Sequence, residues 1–80
     1  MVKAFIMMKL STTEYMGLTK TVLEEVSKIP GVIKAYAIFG RFDVIAEVEV
    51  EDLSELSRLT QDKLRAISGV LSTETFICHE

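Results

Sequence analysis

Tyr36-Ala37-Ile38-Phe39-Gly40-Arg41-Phe42-Asp43-Val44-Ile45-Ala46-Glu47-Val48-Glu49-Val50 is the stretch whose reading decides the fold. Two runs rich in β-branched and aromatic residues flank Gly40 to Asp43. A glycine and an aspartate in the connection make the segment read as a β-hairpin. The second run alternates Val44, Ala46, Val48 and Val50 against Ile45, Glu47 and Glu49, the period-two pattern of a strand with one dry face. The hairpin therefore joins two halves of the chain.

Working back from the hairpin, the spacing predicts a strand from Val32 or Ile33 to Phe39. Ile29-Pro30-Gly31 ends a preceding helix, because proline cannot continue the amide ladder and disfavours helical geometry at the residue before it. Tyr15, Leu18, Val22, Val26 and Ile29 recur at three- and four-residue intervals and form that helix's apolar stripe. Ser11-Thr12-Thr13-Glu14 matches a capping box at its start. Val2 to Leu10 reads as the first strand, and its middle is apolar on both faces because Phe5 and Met7 interrupt the polar side.

Working forward, Asp52 with Glu55 three residues on predicts a second helix start. Leu53, Leu56, Leu59, Leu64 and Ile67 supply its stripe, and Glu55, Arg58, Asp62 and Arg65 turn toward water. Ser68-Gly69 closes it, Val70 to Cys78 reads as the fourth strand, and His79-Glu80 is a loose tail. Ile29-Pro30-Gly31-Val32 and Ile67-Ser68-Gly69-Val70 are internal echoes. Each half thus reads strand, helix, Ile-x-Gly-Val, strand.

A β-α-β-β-α-β order predicts an α+β, ferredoxin-like domain spanning residues 1–80. It is a four-stranded antiparallel sheet with both helices on one face and strands one and three in the middle. The other sheet face then has no helix. Phe5, Met7, Tyr36, Ile45 and either Phe76 or Ile77 are the residues expected to line it. At roughly 25 cal/mol per Å² of apolar surface, covering such a patch stabilises by several kcal/mol, so dimers through sheet faces or edges are expected.

Eighty residues bound the chain to one small domain, and 49% hydrophobic content argues against disorder. A net charge of -3 argues against direct nucleic-acid binding, which calls for a clustered basic face. The single cysteine, Cys78, cannot form an internal disulfide, and no spacing matches a metal site, so no metal or cofactor is expected and a reducing cytoplasm fits. Phe5-Ile6-Met7-Met8 is too short for a membrane span. No phosphate loop is present, and His79, the only histidine, sits too near the chain end for catalysis, so no catalytic residue is assigned.

Two places offer more than a scaffold needs. Gly40-Arg41-Phe42-Asp43 gathers a cation, an aromatic ring and a carboxylate in one turn. An amino acid zwitterion needs donors for its carboxylate and acceptors for its ammonium, and a loop with Asp43 can supply both. The alternative is that Asp43 caps the turn and Arg41 points to water. Thr73 and Thr75 share one face of strand four, where two hydroxyls can orient a polar ligand or serve as ordinary β-branched strand residues.

Ile29-Pro30-Gly31-Val32, Ala35-Tyr36, Gly40-x-Phe42-Asp43 and Ile67-x-Gly69-Val70-x-x-Thr73-x-Thr75, in this order over nearly the whole chain, resemble the effector-binding RAM domain of Lrp/AsnC transcriptional regulators. The resemblance implies a ferredoxin-like fold, dimers through the sheets and larger assemblies. It also implies an amino acid bound between dimers at Gly40, Arg41, Phe42 and Asp43, with Thr73 and Thr75 following by the same matching. Phe42 stands where a tyrosine is common, which removes a hydroxyl. With Met1 as the first residue, no winged helix-turn-helix precedes the domain, so the expectation is the stand-alone form, sensing an amino acid and co-assembling with full-length regulators. The competing expectations are a dimeric α+β barrel enzyme, which needs a polar group between sheet and helices, and a purely structural assembly protein.

Overall fold

The computed structural model describes residues 1–11 and 16–79. Strands β1 (Val2–Leu10), β2 (Val32–Ala37), β3 (Val44–Val50) and β4 (Val70–Ile77) form one antiparallel sheet in the order β2-β3-β1-β4. Helix α1 covers Met16–Ser27, and α2 covers Leu53–Arg58 before passing into a π-helical segment, Leu59–Leu64. This is the expected ferredoxin-like architecture, with strands one and three central. The capping residues Thr12 to Glu14, Tyr15 and the terminal Glu80 lie outside the described residues.

Alternation builds the core. Ala4, Ile6, Met8 and Leu10 of β1 and Val44, Ala46, Val48 and Val50 of β3 are buried, and they pack with Val22 and Val26 of α1 and with Leu56, Leu59 and Leu64. Every second residue of a strand points to one face, so two central strands with unbroken apolar alternation need only a helical lid to make a dry interior. No polar residue among those described is buried.

The internal echo is structural as well as textual. In both copies the backbone makes a type II-like turn, with Val32 N–H donating to the Ile29 carbonyl at 3.1 Å and Val70 N–H to the Ile67 carbonyl at 3.2 Å. Gly31 and Gly69 both sit at φ 100°, which L side chains rarely adopt. Each glycine carbonyl then ties down the neighbouring element, Gly31 to Glu49 N–H and Gly69 to Ser11 N–H, both at 2.9 Å. Each is also crowded by a leucine of the other half: a Cβ on Gly31 would lie 2.9 Å from Leu59 Cδ1, and one on Gly69 2.7 Å from Leu18 Cδ1.

The second helix departs from expectation. Leu59 and Leu64 are five residues apart, which in an α-helix would place them about 140° apart around the axis. The chain resolves this by widening the turn: Arg65 N–H donates to the Thr60 carbonyl, an i→i+5 bond, and both leucines reach the core. Leu53, expected in the stripe, is exposed instead, since it occupies the first turn beyond the edge of the core. Asp52 caps the helix as expected, accepting from Glu55 N–H at 2.9 Å, while the Glu55 carboxylate reaches back to Glu51 N–H at 3.3 Å.

The far side of the sheet has no helix. Cross-strand pairing aligns Tyr36 with Ile45, Ile45 with Met7, and Phe5 with Phe76, so these residues share the uncovered face and Phe76, not Ile77, takes the fourth-strand place. Ile77 pairs with Ala4 and therefore belongs to the helix side. Strand β4 ends one residue earlier than expected, although Cys78 N–H still donates to the Lys3 carbonyl.

Candidate effector site

The connection between β2 and β3 is longer than a tight turn. Strand β2 ends at Ala37, two residues short of the expected Phe39, and the hairpin closes where Ile38 N–H donates to the Asp43 carbonyl at 2.9 Å. This leaves Phe39, Gly40, Arg41 and Phe42 as the loop. Gly40 carries a positive φ of 132°, which lets the chain reverse without a side-chain clash.

Asp43 pins this loop to the end of β1. Its N–H donates to the Met8 carbonyl at 2.9 Å, and its Oδ2 accepts from Leu10 N–H at 2.9 Å. Lys9 Nζ stands 3.5 Å from the same oxygen, with the Asp43 side chain mostly shielded and the Lys9 side chain about one-third exposed (13% and 38%). The carboxylate therefore completes the sheet edge where a backbone partner is missing, and an ammonium is held beside it.

A cleft of about 400 Å³ opens against this arrangement. Lys9, Asp43 and Thr19 of α1 supply its polar groups, and Ala37, Ile38, Phe39 and Gly40 form the rest of the lining. Phe39 is fully exposed, an aromatic ring standing in solvent at the mouth of the cleft. Arg41 is exposed and Phe42 half-buried. The ion pairs among the described residues are Lys3–Glu47, Lys9–Asp43 and Lys28–Glu25, and none involves Arg41.

Of the residues singled out from sequence, Gly40 and Asp43 meet at the cleft, with Arg41 and Phe42 beside them in the loop. Thr73 and Thr75 do not join them within one chain. They pair with Met8 and Ile6 across the other edge of β1, on the helix side of an edge strand. Lys9, Thr19 and Phe39 escaped sequence reading. Lys9 was within reach of it: pairing β3 against β1 in register sets Met8 opposite Val44 and so brings Lys9 beside Asp43. Thr19 required the packing of α1.

A second depression of about 440 Å³ lies between the helices, where Glu25, Asp62 and Lys63 border it. These are exposed side chains on helix surfaces, and ordering them around a ligand costs more rotamer freedom than using the fixed Asp43. No group of three or more His, Cys, Asp or Glu gathers among the described residues, and no described helix is long and apolar enough to cross a membrane.

The model of the Lrp/AsnC ligand binding domain matches residues 3–80. The chain belongs to the Lrp/AsnC family. Among relatives of this Lrp/AsnC domain, an uncharacterized HTH-type transcriptional regulator of Pyrococcus abyssi is 40% identical over 62 residues, covering 76% of the chain and 41% of the relative. The homocitrate synthase of Sulfurisphaera tokodaii is 35% identical over 74 residues, 92% of the chain but 15% of the enzyme. The chain thus spans about two-fifths of the regulators it matches, 41% in that case. Among solved structures, the hypothetical protein PHS023 of Pyrococcus horikoshii superposes with a TM-score of 0.86 at 31% identity, covering 100% of the chain and 92% of the other. A transcriptional regulator of Neisseria meningitidis, solved as an L-Met complex, shares the fold with a TM-score of 0.85 at 20% identity, over 99% of the chain and 50% of its own.

Proposed function

We propose that the Lrp/AsnC domain described above binds an amino acid at the Gly40–Asp43 loop and couples that binding to assembly of the chain into dimers and larger oligomers. The observation that carries this reading is the side-by-side placement of the Asp43 carboxylate and the Lys9 ammonium at a cleft of about 400 Å³. A zwitterion presents the complementary pair of charges, an ammonium for Asp43 and a carboxylate for Lys9, and Phe39 and Ile38 offer apolar surface to its side chain. The N. meningitidis regulator that shares this fold over half of its chain was solved as an L-Met complex, which supports an amino acid as the ligand class.

Arg41 and Phe42 are within the same loop and complete the proposed site with Gly40. Thr73 and Thr75 contribute to it from a neighbouring copy, since in their own chain β1 separates them from the cleft. Binding at a seam between copies shifts the assembly equilibrium by the ligand's differential affinity for the two states. Because the HTH-type regulators carry a similar stretch, co-assembly with such regulators is the route to transcription, in the cytoplasm and without direct contact to nucleic acid.

The enzyme reading requires a polar group between sheet and helices, and that space is lined by apolar residues among those described. The match to the homocitrate synthase fits a regulatory appendage, because the similar stretch is only 15% of that protein.

Calorimetric titration with the common amino acids tests the reading. Saturable heat is expected with at least one, abolished in Asp43→Asn, whose amide still accepts from Leu10 N–H but has lost the charge. No heat with any of them contradicts it.

A further inference from the structure

Phe39 is more exposed than any other large apolar residue described, the terminal Met1 included. Tyr36 and Phe76, the other exposed aromatic residues, lie on the uncovered sheet face, each beside a cross-strand neighbour. Phe39 stands outside the strand pairing, in the hairpin loop and at the mouth of the cleft. A bare aromatic ring forgoes most of the burial that its size makes possible.

The loop is fixed at its base and open at its tip. Ile38 N–H is bonded to the Asp43 carbonyl, and Asp43 is bonded in turn to Met8 and Leu10 of β1, each at 2.9 Å. Beyond those bonds stands Phe39, with Gly40 next to it, where a Cβ would meet no atom within 4 Å. Rotation about χ1 between staggered positions is enough to swing the ring while the charged end of the cleft stays in place.

The lining divides in the same way. Lys9 and Asp43 face the two charges that every amino acid shares, so they do not tell one from another. Ala37, Ile38, Phe39 and the Thr19 hydroxyl are left to meet the ligand's side chain. That set has no charge to offer an ionised side chain, and Arg41 is not among the lining residues. The volume of about 400 Å³ is ordinary for a small-molecule site, and glycine leaves much of it to water.

We propose that Phe39 selects the ligand. Its ring folds over the side chain of an amino acid held at Lys9 and Asp43, so the cleft takes long apolar side chains, such as those of leucine and methionine, in preference to glycine or glutamate. This rests on the effector reading above and adds the class of amino acid to it. Covering about 60 Å² of apolar surface between ring and ligand corresponds to roughly a tenfold gain in affinity, which a side chain too short to reach the ring forgoes.

The full chain contains no tryptophan, so Phe39→Trp supplies an indole whose emission reports on this position alone. Leucine or methionine at saturation is expected to move that emission to shorter wavelength, equally at low and high protein concentration, and glycine to leave it unchanged. By calorimetry, Phe39→Ala is expected to weaken leucine and methionine roughly tenfold and glycine by less than about twofold. Emission that follows protein concentration and ignores amino acids puts the ring in a neighbouring copy and overturns the proposal. A wild-type chain that takes glycine or glutamate more tightly than leucine and methionine also overturns it, as does a Phe39→Ala chain that binds all four as before, and in both cases the effector reading stands. A wild-type chain that gives no saturable heat with any amino acid overturns both.

Discussion

The Asp43 carboxylate and the Leu10 amide meet at 2.9 Å across 33 residues of sequence, closing the corner where β1 stops and the hairpin loop begins. One side chain thus performs two tasks: it replaces a missing strand partner and holds negative charge at the cleft.

Removing it leaves a part-buried amide without its acceptor, which costs about 1–3 kcal/mol. Asp43→Ala is therefore expected to shift the urea unfolding midpoint well below that of Asp43→Asn, which keeps an acceptor oxygen. Equal midpoints for the two variants would show that the bond contributes nothing to the fold.

The two echo turns predict a ranking among glycine substitutions. Alanine at Gly31, Gly69 or Gly40 adds backbone strain of about 1–2 kcal/mol at a positive φ, but only at Gly31 and Gly69 does the new methyl also press on a packed leucine, Leu59 or Leu18, while at Gly40 it meets no atom within 4 Å. Denaturant midpoints are expected to fall further for the first two than for Gly40→Ala. The reverse order would mean that the leucines move aside freely.

The π segment makes an unusual prediction about a deletion. Taking out the exposed Gln61 brings the Leu59 to Leu64 interval down to four, the natural spacing of an α-helical stripe. The shortened chain is expected to keep its helical circular dichroism and a stability within about 0.5 kcal/mol of the wild type. A large loss would show that the wide turn is needed for more than placing these two leucines.

Lys3 gives a prediction in alkali. Its hydrogen bond to Glu47 at 2.9 Å, and the charge of that carboxylate, raise its pKa above the ordinary 10.5. A cation favoured in the folded state adds stability that is complete below the unfolded pKa and is lost as pH rises through the folded one. Melting temperature is expected to decline above pH 10.5 more steeply in the wild type than in Lys3→Gln. Parallel declines would mean that water screens the pair.

The architecture was legible because β1 and β3 alternate without a break, and because the Ile-x-Gly-Val echo marks equivalent turns after each helix. The hairpin loop was legible in kind but not in extent: nothing local says that Ile38 and Asp43 close it. Leu53 misled because it fits the stripe's spacing yet stands in the first turn of the helix, outside the core, and the five-residue step from Leu59 to Leu64 was the available signal for the wide turn. At the cleft, turn chemistry singled out Gly40 and Asp43 with a plain turn cap as the competing reading, and the family resemblance supplied the ligand role. Lys9 reaches it through the β1–β3 register, Thr19 only through the packing of α1, and Thr73 and Thr75 share a face without sharing the cleft.

Sedimentation equilibrium of the 9.0 kDa chain at micromolar concentration, with and without a mixture of amino acids, tests the central claim most directly. A mass of at least two chains that changes when amino acids are added is the predicted result. A single-chain mass in both conditions would contradict it.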